Sequence, residues 1–360
     1  MSGGIDSSVS AALLKRANFD VVGVFMKLAD LPRFKEGEKR ARKIAEILKI
    51  PFLVLDLRTK FKKRIVDWFF KEYKIGLTPN PCVVCNKEIK FGFLLEKALS
   101  LDADFVATGH YARLRREIRN PKSEIRKLIR AKDKNKDQSY FLWMLNQEQL
   151  KRIMFPIGNY TRKEVENLAK KFKLPVLGIK KSVEICFIKT TINDFLKGHL
   201  KKRPGKIVTK DGKIVGEHEG LWLYTIGQRK GLGLAGGPAF AKASAGKPYY
   251  ILDKDLKKNL LIVTKDEKDL YKRELICKNI NWISDKKPRL PLKIKAKIRY
   301  RHQPASATLT HHLKPNTYHL VFKRPQRAIT PGQSVVFYLP TEALAKAGKG
   351  EEVLGGGIIT

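Results

Sequence analysis

Short apolar runs alternate with amphipathic stretches through the first half of this chain. Runs over residues 21–26, 52–57 and 104–108 have the length and residue types of buried strands. Between them, residues 7–16, 36–48, 61–73 and 88–99 place apolar positions at helical spacing. Such alternation predicts an α/β fold, with a parallel sheet covered by helices on both faces. A T-x-x-E box at Thr161 and Glu164 predicts the start of another helix over residues 161–172.

The texture changes after residue 199. Pro204, Gly205, Asp211, Gly212, Gly216 and Gly220 punctuate short segments, and a glycine cluster spans residues 227–237, which together predict a small central domain. From about residue 273, β-rich runs at 292–300, 318–322 and 334–339 are separated by Pro and Gly turns, the pattern of an all-β, barrel-like domain. The expected division is therefore 1–198, 199–270 and 271–360. Residues 117–126, which contain Glu-Ile-Arg twice, and the Ala-, Ser- and Gly-rich residues 239–246 read as surface-loop insertions.

At 360 residues the chain is long enough for two or three modest cores, and its 43% hydrophobic and 30% charged content is that of a globular protein. Its apolar runs are too short to cross a bilayer and its start has no export pattern, so a cytoplasmic location and no membrane association are expected. The charge changes the picture more. The 74 Lys and Arg against 35 Asp and Glu leave a formal net charge of +39, a field that attracts polyanions, nucleic acid foremost. A lysine-rich composition without a nucleic-acid role is the competing explanation.

Ser2-Gly3-Gly4-Ile5-Asp6-Ser7 runs directly into the helical stretch. Two glycines let backbone approach a ligand, and serines with free N–H groups at a helix start can hold phosphate oxygens. The lysine of a Walker A loop is absent, which disfavours a kinase or GTPase. A plain turn capped by Asp6 or Ser7 is the bland alternative. Gly109 follows the run at 104–108, at a strand's carboxyl end where ligands of open parallel sheets lie. Met26 sits similarly, although core packing alone explains a methionine there. His110 reads equally as structural or catalytic.

Four cysteines, Cys82, Cys85, Cys186 and Cys277, are too few and too scattered for a disulfide scaffold. Cys82-x-x-Cys85 is consistent with half of a zinc site, a redox dithiol, or sulfur chemistry with a distant partner. The apparent helix start near Glu88, with Lys87 and Lys90, is expected to lower the Cys85 thiol pKa. Cys186, within Lys181-Ser182-Val183-Glu184-Ile185-Cys186-Phe187-Ile188, is on local grounds a small core residue, and Cys277 likewise.

The Ser2–Ser7 motif resembles the pyrophosphate loop of the PP-loop ATPases. Together with residues 78–91, 107–113, 136–141, 185–188 and 224–233, in this order, the chain resembles the bacterial tRNA-specific 2-thiouridylase family, most loosely at its far C-terminus. The resemblance implies a Rossmann-like PP-loop domain followed by a small tRNA-binding domain and a β-barrel. It implies that ATP, with Mg2+, adenylates the C2 oxygen of a wobble uridine in tRNA. By motif position, Cys186 would carry a persulfide and Cys85 would be the nucleophile, with a transient disulfide between them. Ser2, Gly3, Gly4, Ile5, Asp6, Ser7, Met26 and Gly109 would bind ATP. Asn80, Pro81 and Cys82 would contact the target base, and Lys136, Asp137, Gln138, Arg299 and Tyr300 the rest of the tRNA. The implied partners are tRNA and a cysteine desulfurase or sulfur-relay protein that donates persulfide sulfur, with the chain a monomer in the absence of tRNA.

Two departures stand out. Some members have aspartate where this chain has Cys82, and members place an apolar strand before the Ser-Gly-Gly loop, where only Met1 precedes it here. A different PP-loop ligase, or an RNA-binding relative without ATP chemistry, are the rival readings.

Overall fold

The computed structural model describes residues 1–120, 123–178, 185–234, 247–340 and 351–360. The expected loop at 239–246, residues 181–184 of the second cysteine motif and residues 235–237 of the glycine cluster lie outside the described residues.

Helix α1 (Ile5–Arg16) follows the Ser-Gly-Gly loop, with Gly4 as its N-cap and Lys15 and Arg16 in its last turn, where positive charge suits the helix dipole. Strand β1 (Gly23–Lys27), helix α2 (Pro32–Leu48) and strand β2 (Phe52–Asp56) come next, with β1 and β2 paired in parallel. Pro32 opens α2, where its missing N–H leaves no bond unmade, and the helix buries Gly37, Ala41, Ile44 and Ala45. The amino group of Met1 donates to the Val24 carbonyl, so the phosphate-loop candidate departs from alongside β1.

Residues 58–74 form one helical run, α3 (Arg58–Phe61) and α4 (Asp67–Lys74), joined by a π-helical segment, Lys62–Val66. Residues 81–99 repeat the plan: α5 (Pro81–Cys85), a π segment Asn86–Phe93, then α6 (Leu94–Leu99). Apolar spacing pointed only to the part after residue 88. The helix in fact begins at Pro81, whose fixed φ suits a first turn, so Cys82 and Cys85 lie within it rather than ahead of it.

Strand β3 (Val106–Ala107) leads to a hairpin of β4 (Ala112–Asn120) and β5 (Ser123–Arg130). Helix α7 (Gln147–Lys151) precedes β6 (Ile153–Met154), which pairs in parallel with β3 and was too short to register in the sequence pattern. The sheet of this domain is therefore two parallel pairs, β1–β2 and β3–β6. Helix α8 (Arg162–Lys171) carries the expected capping box at Thr161 and Glu164, and α9 (Ile192–Lys197) is capped by Thr191.

The central domain is a four-stranded sheet, β7 (Gly205–Thr209), β8 (Ile214–His218), β9 (Tyr250–Asp255) and β10 (Leu260–Thr264), in the order β8-β7-β10-β9. In the third domain β11 (Tyr271–Trp282), β12 (Leu292–Lys297), β13 (Ala305–His311), β14 (Thr317–Arg327), β15 (Ser334–Tyr338) and β16 (Glu352–Ile359) run β11-β14-β13-β12-β15-β16, and β11 pairs with β16 to close a barrel. Leu275, Ile294, Leu309, Leu320, Phe322 and Phe337 fill it.

The reading of residues 117–126 as a surface insertion is corrected. Glu117 and Ile118 lie in β4 and residues 124–126 in β5, and β5 adds to the barrel sheet by pairing Ile129 and Leu128 with Glu352 and Val353. Charge hid the strands: Lys127 reaches Glu117 at 2.6 Å and Glu352 at 3.2 Å, so residues that read as loop are cross-strand ion pairs.

Two cores cross domain boundaries. One joins Phe61, Phe69, Cys85 and Phe187 to Leu221, Trp222, Ile251 and Leu261 of the central domain; the other joins Phe91, Tyr140 and Trp143 to Val336, Tyr338 and Val353 of the barrel. No helix among the described residues is long and apolar enough to cross a membrane.

Candidate active site

The loop before α1 is built for a close backbone approach. Gly3 has φ +72°, and a Cβ there would lie 2.4 Å from the Gly37 carbonyl oxygen, so no larger residue fits. Ser7 closes the loop: its Oγ accepts from the Ser2 N–H at 3.1 Å, lies 3.2 Å from the Ser2 Oγ and donates to the Gly4 carbonyl at 3.1 Å. The N-cap Gly4 has no side chain to satisfy the first N–H groups of α1, and these remain available to an anion. Gly109 packs against this turn, since a Cβ on it would stand 2.6 Å from both the Asp6 carbonyl carbon and the Ser7 nitrogen. The structure thus brings Ser2 to Ser7 and Gly109 together. Ile5 faces the core, and Met26 in β1 lies half-buried between two cores.

Asp6 is held by groups that sequence reasoning did not single out. Its carboxylate accepts from the Tyr111 hydroxyl at 3.0 Å and from Arg162 at 2.8 Å. Burial beside Asp6 pushes the Tyr111 phenol up, which keeps it a donor. Tyr111 is itself fixed by Gln138, whose side-chain oxygen accepts from the Tyr111 N–H at 2.9 Å and whose N–H donates to the Tyr111 carbonyl at 2.7 Å. Of the neighbouring pair, Lys136 is half-exposed, whereas Asp137 is 2% exposed and accepts from Arg130 at 2.7 Å and from the Ala131 and Ser139 N–H groups. The Asp137 carboxylate is therefore engaged inside the protein.

On the other side of Gly109 stands His110, buried and held well below its ordinary pKa by desolvation, then by Lys90. Lys90 Nζ lies 3.5 Å from its Nε2, and Thr108 Oγ1 lies 2.8 Å from its Nδ1. An ammonium only donates, so Nε2 accepts and Nδ1–H donates to Thr108: the imidazole is neutral.

Lys90 also acts electrostatically on the thiols. Its charge favours the thiolates of Cys82, Cys85 and Cys186 alike. The π segment accounts for this, because a π turn aligns positions five apart and brings Lys90 round to the side of Cys85. The missing Cβ of Gly92 makes room for the widened turn, since it would lie 2.9 Å from the Lys87 carbonyl oxygen. The expectation of a lowered Cys85 pKa is overturned. Cys85 is 8% exposed, and burial pushes its thiol up to about 12, with Lys90 only partly offsetting the desolvation. Cys186 is exposed as a residue, yet protein around its thiol pushes it up to about 11. Arg33 of α2 fixes that segment by donating to the Cys186 carbonyl at 3.4 Å and the Ile188 carbonyl at 2.8 Å, while Phe187 packs edge-on against Phe61 and Phe69. Cys277 is fully buried in the barrel, away from the other thiols. Among the described residues no group of three His, Cys, Asp or Glu side chains is placed to hold a metal ion.

The segment Asn80-Pro81-Cys82 is presented by a loop that all three domains hold. Thr78 N–H donates to the Pro331 carbonyl at 3.0 Å, its carbonyl accepts from Gln333 at 2.7 Å, and its hydroxyl lies 3.4 Å from that of Thr225. Arg299 ties the same junction, donating to the Ile226 and Ala328 carbonyls and to Thr330 Oγ1 at 3.1, 3.0 and 2.6 Å. Tyr300 packs against Phe141 with ring centres 4.4 Å apart and planes tilted by 41°, and Lys297 lies over both Tyr300 and Tyr140 at 5.7 and 5.9 Å. Burial brings Lys297 down to about 8.

Residues 1–190 match the family described as tRNA methyl transferase HUP domain, residues 193–265 its PRC-barrel domain, and residues 272–359 the aminomethyltransferase beta-barrel domain. The chain is 44% identical, over all of its length and 98% of the relative's, to the tRNA-specific 2-thiouridylase MnmA of Syntrophomonas wolfei. It belongs to the tRNA-specific 2-thiouridylase family. The proteins of that name from Clostridium perfringens and Geobacillus thermodenitrificans are 43% and 41% identical over the whole chain and over 96% and 93% of their own lengths. In this member of the family the HUP domain carries the Ser2–Ser7 loop together with Cys82, Cys85 and Cys186, and the central PRC-barrel domain and the closed barrel flank them.

Proposed function

We propose that this chain replaces the C2 oxygen of a wobble uridine in tRNA with sulfur at the expense of ATP. The observation that carries this reading is that the Ser2–Ser7 loop abuts Gly109, His110 follows Gly109 and lies 3.5 Å from Lys90, and the charge of Lys90 acts on Cys82, Cys85 and Cys186. A site for nucleotide phosphates and a site for sulfur chemistry share one floor.

The residues fit a triphosphate. The first turn of α1 offers uncapped N–H groups to phosphate oxygens, and Gly3 and Gly109 let backbone pack closely enough to hold that turn in place. Mg2+ would arrive with the nucleotide. ATP supplies a good leaving group for an otherwise inert amide-like oxygen, and a sulfane sulfur is then an adequate nucleophile. The exposed Cys186 suits the persulfide that a donor protein loads, and the buried Cys85 suits the thiol that releases the sulfur by forming a disulfide with Cys186. Lys90 lowers the cost of each thiolate. Asn80, Pro81 and Cys82 receive an extruded base on a loop that Thr78 anchors, with Tyr300 and Lys136 toward the rest of the tRNA. The net charge of +39 matches a polyanionic substrate.

The test is incubation with unmodified tRNA, ATP, Mg2+ and a persulfide donor, followed by digestion and mass spectrometry for 2-thiouridine. Product is expected from the wild type and not from Cys85→Ser or Cys186→Ser. Absence of product from the wild type, or undiminished product from both variants, refutes the reading.

A further inference from the structure

We propose that Cys82 and Cys85 form a second disulfide, which takes the oxidising equivalent off Cys186 and stores it where an external thiol reaches it. The proposal rests on the sulfur transfer above and extends it by one exchange step. Cys82 and Cys85 lie three residues apart in α5, on the same side of the helix. Helix geometry puts their Cα atoms about 5 Å apart, within the roughly 4.4–6.8 Å that a disulfide requires. The Cβ atoms begin about 5–6 Å apart and must close to about 4 Å, a movement confined to this short first turn ahead of the π segment.

Access distinguishes the two thiols of α5. Cys82 is half-exposed while Cys85 is 8% exposed, so of this pair a small thiol in solution meets Cys82 first. Burial raises all three thiols, and the charge of Lys90 opposes that rise at each of them. Cys277 takes no part, being buried in the barrel core.

The electrons balance over two steps. The terminal persulfide sulfur on Cys186 first attacks the adenylated C2 of the base, the C2–O bond breaks and AMP leaves with that oxygen, so the sulfane sulfur is bonded to both C2 and Cys186 Sγ. Cys85 attacks Cys186 Sγ, the bond from Sγ to the sulfane sulfur breaks, and its electron pair leaves with the sulfur on the base. Cys85–Cys186 is the disulfide formed. The Cys82 thiolate then attacks Cys85 Sγ; the Cys85–Cys186 bond breaks, and Cys186 keeps the pair and takes up a proton. The two electrons that reduced the sulfane sulfur have come from Cys82 and Cys85, and a dithiol reductant from solution restores them. Cys186 is meanwhile free to be loaded again, which a resting Cys85–Cys186 disulfide forbids.

The experiment uses the full chain, with Cys186 loaded as persulfide, and one round with unmodified tRNA, ATP and Mg2+ without reductant. Acid quench, alkylation of free thiols and peptide mass spectrometry then locate the disulfide. The expected result is a Cys82–Cys85 disulfide in step with 2-thiouridine, with Cys186 alkylated. Cys82→Ser should instead hold Cys85–Cys186 and lose several-fold in multiple-turnover rate with a dithiol present. Formation of 2-thiouridine with Cys82 alkylated and Cys85–Cys186 retained in the wild type overturns the second disulfide and leaves the sulfur transfer standing. Failure to form 2-thiouridine overturns both.

Discussion

Gly109→Ala puts a Cβ 2.6 Å from the Asp6 carbonyl carbon and the Ser7 nitrogen, and 2.9 Å from the Asp6 oxygen. These are backbone atoms, so no side chain can swing aside, and the two segments must separate by about 0.8 Å to regain the 3.4 Å at which ordinary contact begins. Overpacking of this kind costs about 1–3 kcal/mol, and each kcal/mol lowers the melting temperature of a domain this size by roughly 2–4 °C. The fold survives that loss. Catalysis suffers more, because a displacement near 1 Å of groups that position a reacting phosphate is worth about 100-fold in rate. ATP affinity and ATP-dependent 2-thiouridine formation should therefore collapse while persulfide loading of Cys186 persists. Gly198→Ala is the control: its nearest neighbours lie 3.7 Å away, and it should be silent in all three assays. ATP binding by calorimetry, product formation and melting temperature read the outcome. Affinity and rate for Gly109→Ala within about a factor of two of the wild type refute the argument that Gly109 seats the phosphate loop.

Tyr111→Phe removes one of the two donors to Asp6 and should weaken ATP binding by about 0.5–1.5 kcal/mol, with an unchanged Kd counting against the Asp6–Tyr111 link. Because burial raises the thiols of Cys186 and Cys85 to about 11 and 12, alkylation of both should climb about tenfold per pH unit from pH 7 to 9 without a plateau, and Lys90→Gln should slow it further at every pH. A plateau near neutrality means the thiolates are stabilised. His110 has its folded pKa held below the ordinary 6.5, so below that pH the unfolded chain binds more protons. Its contribution to stability is present above about pH 6.5 and lost as pH falls; denaturant midpoints between pH 7 and 5 should show a decline that His110→Asn flattens.

Legibility in the sequence followed the range of the interactions. Helices α1, α2 and α8 were visible because their signals are local: a glycine-serine loop, a run of helical spacing, a capping box. The helix from residue 81 to 99 was read only in part, because its first turn is a proline and two cysteines rather than an amphipathic stripe, and no periodicity of 3.6 marks a π segment. The hairpin of β4 and β5 was missed because its charges are paired across strands and with Glu352, a residue more than two hundred positions away. The candidate site divides the same way. Ser2 to Ser7, Gly109 and the Cys82-x-x-Cys85 pair pointed to candidate chemistry by residue type and spacing, whereas Cys186 read locally as a core residue and took its expected role from the family resemblance alone. Tyr111 and Arg162 acquire a function only by meeting Asp6 in space, and the raised Cys85 pKa depends on burial that neighbouring lysines in sequence do not reveal.

The contacts of Thr78 give a physical reason for three domains around one site. The Ser2–Ser7 loop is positioned within the first domain, by Gly37, Gly109, Tyr111 and Arg162. The loop leading to Asn80 is not: Pro331 and Gln333 bond its backbone from the barrel, and Thr225 lies beside its hydroxyl from the central domain. A Cβ on Gly332 would come within 2.8 Å of the Thr78 nitrogen, so the barrel backbone presses directly on this loop. Arg299 then couples the two outer domains to each other through Ile226 and Ala328. On the proposed function, placement of the base-receiving segment is thus a property of the domain arrangement, whereas phosphate binding is a property of one fold. On that proposal, an RNA engaging the outer domains would bear on the former without touching the latter, separating choice of nucleic acid from use of the nucleotide.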